Sequence, residues 1–120
     1  MKKVVSILFL ATGALLLNSC TKPSDSVKGN YSGTFTFNGT AGGTATTNVV
    51  VVDANTVQTI FSFNGGANSS LSQVNVTQNG NDYALSYTDA SGSFTGTVSG
   101  NNLNWSLSAG GDVSTFTGSK

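Results

Sequence analysis

Beyond residue 28, apolar and polar side chains alternate. Tyr31, Gly33, Phe35 and Phe37 fall on one face, with Ser32, Thr34 and Thr36 on the other. A period of two is the mark of a strand with one buried face. The pattern recurs through a β-branched run from Thr44 to Val52, then Val57/Phe61/Phe63, Val74/Val76 and Tyr83/Leu85/Tyr87. It continues through Phe94/Gly96/Val98, Leu103/Trp105/Leu107 and a last run around Phe116. Eight strands are predicted, with no helical spacing among them. The connections are short: 38–43, 53–55, 64–68, 78–81, 89–92, 99–101 and 109–112. Asn38-Gly39, Asn64-Gly65 and Asn79-Gly80 suit tight hairpins, because both residues tolerate positive φ. Short links require antiparallel neighbours, so the topology is an up-and-down meander.

An eight-strand meander closes into a barrel or folds into two stacked sheets. The barrel is favoured because no strand carries the Lys, Glu or Pro that guards an open edge. Tyr31-Ser32-Gly33-Thr34 also recurs as Phe94-Thr95-Gly96-Thr97 and Phe116-Thr117-Gly118-Ser119. Glycines within strands permit the bends of a small barrel, and an adjacent aromatic covers the bare backbone. The alternative architecture is a β-sandwich.

The first residues follow a different pattern. Met1-Lys2-Lys3 precede an apolar run from Val4 to Leu17, interrupted by Ser6, Thr12 and Gly13. A positive start and a short apolar stretch form a secretory signal. At about 14 residues the stretch is too short for a bilayer core, which needs roughly 20. Leu17-Asn18-Ser19-Cys20 resembles the lipobox of bacterial lipoproteins. The resemblance implies cleavage after residue 19, diacylation of Cys20, and a membrane anchor of more than one chain, which stable attachment needs. Cys20 is the single cysteine, so no internal disulfide competes for it. Thr21, rather than aspartate, follows the cysteine. By analogy with enteric bacteria this implies sorting to the outer membrane. Residues 20–28 are expected to be a lipidated cysteine and tether, and 29–120 the β domain. Asp25-Ser26-Val27 resembles the short O-glycosylation signal of the Bacteroidota, with Ser26 as acceptor.

Gly29-Asn30-Tyr31-Ser32-Gly33-Thr34-Phe35 and the later 94–103 segment together resemble the lipocalin-like (calycin) lipoproteins of the Bacteroidota. The resemblance implies a β-barrel binding a small apolar or neutral molecule. This chain is shorter than a typical lipocalin, and Gly29-Asn30-Tyr31 replaces the usual Gly-x-Trp.

Composition removes several function classes. Removal of residues 1–19 leaves about 100 residues, enough for one modest core. The remaining charges are Lys22, Lys28 and Lys120 against Asp25, Asp53, Asp82, Asp89 and Asp112. No cationic footprint exists for nucleic acid. With no His in the chain, Ser-His and Cys-His nucleophile pairs are excluded and zinc lacks its customary ligands. The aspartates are scattered, and no paired-carboxylate motif, cofactor site or metal site is expected. An eight-stranded barrel holds either side chains or one small ligand. If a ligand enters, Tyr83, Tyr87 and Trp105 would orient it, with Phe61 and Phe63 lining its site. Both termini lie at one end. The Gly-rich links at the other predict any entrance there, near Gly42, Gly65, Gly66, Gly110 and Gly111. The alternative of another class is a structural or interaction module contacting a protein or glycan of the cell envelope.

Overall fold

The computed structural model describes residues 22–120, so the expected export signal and Cys20 lie outside the described residues. A short helix α1 (Pro23–Val27) precedes strands β1 (Gly29–Phe37), β2 (Thr40–Asp53), β3 (Thr56–Phe63) and β4 (Ala67–Asn79). Then follow β5 (Asp82–Asp89), β6 (Gly92–Ser99), β7 (Asn102–Ala109) and β8 (Asp112–Ser119). Each strand pairs antiparallel with the next, and β8 returns to β1, giving a closed eight-stranded up-and-down barrel. Closure leaves no long edge, which accounts for strands without guarding charges.

Two of the three repeated glycine segments meet at the closing seam. Gly33 of β1 stands opposite Gly118 of β8. A Cβ on Gly33 would fall against the Thr117 carbonyl, and one on Gly118 against the Phe116 ring and the Ser32 carbonyl. Two glycines facing one another let the two strands approach and bend there. The hydroxyls of Thr36 and Thr115 share a hydrogen bond of 2.5 Å across the same seam.

Three expectations are corrected. The first connection is not a 38–43 loop. It is the two-residue Asn38-Gly39 turn, with φ of 50° and 83°. β2 starts at Thr40, and Gly42 is a bulge residue within it, opposite the step from Phe35 to Thr36. The Phe35 ring lies where a Gly42 side chain would be, so Gly42 is a seat for an aromatic and not part of a flexible loop. Likewise the 64–68 link contracts to residues 64–66 before β4. Finally, the segment taken as tether is ordered. Pro23 pre-sets the first helical turn, and Val27 and Ser24 are fully buried. The Ser24 amide donates to the Ala54 carbonyl at 3.1 Å, and its hydroxyl donates to the Asp53 carbonyl at 2.5 Å. The period-two rule sees no signal in so short a helix, with one buried apolar residue.

Candidate functional site

Strand directions place Gly29, Ser119 and α1 at one end, the near end. The Asn38-Gly39, 64–66, 90–91 and 110–111 turns lie at the far end. Between them the lumen is packed with aromatic side chains. Trp105 lies 4.9 Å from Phe61 and 5.6 Å from Phe94, and stacks on Phe116 at 5.6 Å and 15°. Leu85, Leu103, Val57, Val74 and Val98 complete this packing. The Trp105 indole Nε1–H donates to Thr47 Oγ1 at 2.9 Å in the buried interior. Phe61 and Trp105, expected to contact a ligand, instead fill the barrel. The period-two faces read from the sequence include them, but give no inward side for β2, where Ala45, Thr47 and Val49 are buried, and pass over Thr59, which falls in step with Val57 and Phe61 in β3. The run of β2 hides its inward face, because small and β-branched residues stand on both of its faces.

The two ends differ. At the near end Val27 of α1 plugs the lumen, and the Tyr31 hydroxyl donates to the Val27 carbonyl at 2.8 Å. Burial pushes the Tyr31 phenol up to about 12. Tyr83, second in β5, lies at this end and is half-buried. At the far end no helix covers the lumen among the described residues. Phe35, Phe63, Leu71, Tyr87 and Leu107 are half-buried against the core, and Phe37 at the rim is 49% exposed. Phe35 and Phe63 meet edge to face at 4.8 Å. Five side chains proposed as one site are therefore split: Phe63 and Tyr87 toward the far end, Phe61 and Trp105 in the centre, and Tyr83 at the near end.

The far-end turns are tied down. The Asn38 side chain donates to Asp112 Oδ1 at 3.0 Å and accepts the Val113 amide at 2.8 Å, joining the first turn to the last. Asp89 accepts from Ser91 Oγ at 2.6 Å, from the Ser91 and Gly92 amides, and from the Tyr87 hydroxyl at 2.7 Å. These bonds, the Ser91 hydroxyl foremost, hold its carboxyl down at about 2. The bond to Asp89 and its charge raise the Tyr87 phenol. Tyr87 is thereby committed to its own turn. Gly65, Gly66, Gly110 and Gly111 occupy the tight far-end turns. Ser26 lies half-buried on α1.

Outside, the wall is polar. Ser32, Thr34, Asn48, Thr95, Thr97, Asn104 and Thr117 face solvent. Over Gly96 the β6–β8 wall dips into an open groove of about 380 Å³ with a rim of Thr and Asn side chains and a floor reaching Trp105 and Phe116. This is the reverse of a membrane-spanning barrel, whose outward positions are apolar. Among the described residues no group of three His, Cys, Asp or Glu could hold a metal ion.

No known protein family's sequence profile matches the chain, nor does any curated protein. The fold is similar to a crystal structure from Bacteroides fragilis, described as a "putative outer membrane protein", at a TM-score of 0.64 and 16% identity. The match covers 83% of this chain but 53% of the other, so the chain spans about half the length of that structure. At that identity the likeness is one of fold.

Proposed function

We propose that the chain is an outer-membrane lipoprotein, acylated at Cys20, whose barrel acts without catalysis as an interaction module for a protein or glycan of the envelope. The observation that carries this reading is a filled lumen that is plugged at one end and uncovered at the other. With Phe61, Phe94, Trp105 and Phe116 in mutual contact, no room remains to enclose most of a drug-sized molecule, as carrier pockets do. The polar wall supports a barrel that stands in water and is anchored to the membrane, not threaded through it. The likeness to a Bacteroides fragilis protein described in outer-membrane terms agrees with that address. The lack of His and the commitment of Asp89 to its own turn support a non-catalytic role. The contact surface is the far end, where Phe37 and the half-buried Phe35, Phe63 and Leu107 offer an aromatic face on latched turns.

The test is site-specific photocrosslinking in the source cells, from Phe37 at the rim and Asn48 on the wall. A discrete product from position 37, absent from position 48, is expected. Equal labelling from both positions contradicts a dedicated far-end surface. A second reading is favoured by the Phe35–Phe63 pair itself: a small apolar molecule could lie across these rings. It would quench or shift no Trp105 emission, because the indole is buried among Phe61, Phe94 and Phe116.

A further inference from the structure

The near end carries an apolar feature that barrel closure leaves uncovered. β2 outruns its neighbour: β1 begins at Gly29, opposite Val49. Val50, Val51 and Val52 therefore extend past the β1 ladder, and all three are exposed, at 39%, 36% and 51%. Between them and α1 runs a groove of about 590 Å³, lined by Asp25, Lys28, Gly29, Val49, Val50 and Val51. Consecutive exposed valines on a strand flank are a hazard in water unless something covers them.

Charge is arranged along the same axis. Lys22, Lys28 and Lys120, the lysines among the described residues, are all at the near end, together with Asp25, Asp53 and Asp82. The far end carries Asp89 and Asp112 and none of the lysines. The molecule is thus a dipole whose negative pole is the far end. Lys120 reaches back to donate to the Lys28 carbonyl at 2.6 Å and lies 5.2 Å over the Tyr31 ring, while Lys28 lines the valine groove and pairs there with Asp25 at 3.7 Å. Lys22, two positions after Cys20 in the sequence, directly precedes α1 at this end.

We propose that the Val50–Val52 flank and the lysines around it are a seat on the phospholipid surface: the valines enter the headgroup boundary and Lys22, Lys28 and Lys120 meet lipid phosphates. The inference rests on the anchoring at Cys20 and adds an orientation to it. The near-end lysines are matched in number by Asp25, Asp53 and Asp82, with Lys28 paired to Asp25 at 3.7 Å, whereas the Asp89/Asp112 pole has no lysine beside it among the described residues and is repelled from an anionic surface. The barrel then stands upright with its aromatic end toward the aqueous side, where a tether alone would let it tumble.

The test uses the full acylated chain, in which an introduced cysteine is the one free thiol. Val51→Cys and, as a far-end control of similar exposure (Val113 is 40% exposed), Val113→Cys carry an environment-sensitive fluorophore. The proteins are reconstituted into phosphatidylethanolamine–phosphatidylglycerol vesicles containing lipid brominated near the headgroup. Emission from position 51 is expected to shift blue and to be quenched several-fold more than from position 113, with weaker quenching in high salt. Val50→Cys serves if Val51→Cys perturbs the strand. Sedimenting protein with both probes in water overturns the seat while leaving the anchor intact. A probe at 51 that is shielded but unquenched by brominated lipid assigns the flank to a second copy and also overturns it. Protein left in the supernatant with a reactive Cys20 thiol overturns anchor and seat together.

Discussion

Thr47 and Thr59 point into the same lumen with opposite fates. Thr47 Oγ1 accepts the Trp105 indole, whereas Thr59 Oγ1 is buried with no hydrogen-bond partner among the described residues. A buried hydroxyl without a partner costs about 1–3 kcal/mol of desolvation. Thr59→Val is nearly isosteric and is expected to raise stability by about 1 kcal/mol. Thr47→Val orphans the Trp105 N–H and is expected to lower it by about 1–3 kcal/mol. Urea unfolding followed by Trp105 emission checks both signs. At the rim, the depressed Asp89 carboxyl makes a pH prediction. Its folded value, about 2, lies below the ordinary 3.8. The stabilisation it lends the β5–β6 turn is therefore present above about pH 4 and lost as pH falls through about 2. Carbon-detected NMR titration is expected to find its midpoint near 2, and Ser91→Ala to move it up. The Tyr31 phenol has the opposite sense: with a folded value raised to about 12, its contribution is lost as pH rises beyond its ordinary value near 10.

At the scale of elements, the strands were legible and the helix was not. Each of β3 and β5–β8 places large aromatic or aliphatic residues on one face, so period two gives their existence and their inward side. In β2 both faces carry β-branched residues of like size, and the pattern gives the strand without its orientation or its true start. α1 exposes nothing to a periodicity argument, since its whole contribution is Val27 in the near end and two hydrogen bonds from Ser24. That contribution is measurable. Val27→Ala removes two buried carbons at roughly 0.8 kcal/mol each, plus a small cavity, so it is expected to cost about 2 kcal/mol. Amide exchange should then speed up across residues 23–27 and at the near ends of β2 and β4, while the far-end turns remain as protected as before. Uniform acceleration throughout the barrel would show instead that α1 is not a separable plug.

At the scale of the whole molecule, closure into a barrel followed from strand number, link length and the glycines that now face each other as Gly33 and Gly118. What fills the barrel did not follow. Inward aromatic and aliphatic side chains can line a cavity or occupy it, and the choice depends on shear and rotamers that no one-dimensional pattern carries. The structure makes that choice in favour of occupancy: Trp105 sits among Phe61, Phe94 and Phe116. The candidate ligand residues are thereby dispersed along the axis, and the surface we propose for recognition is the uncovered far end. The account therefore turns on whether this barrel carries a cargo. Native mass spectrometry of the protein purified from source-cell membranes tests that most directly. The predicted result is the mass of the acylated chain alone, with Trp105 emission unchanged by added envelope lipids. A retained adduct of one defined mass, released together with a shift in Trp105 emission, would contradict a filled lumen and restore the carrier.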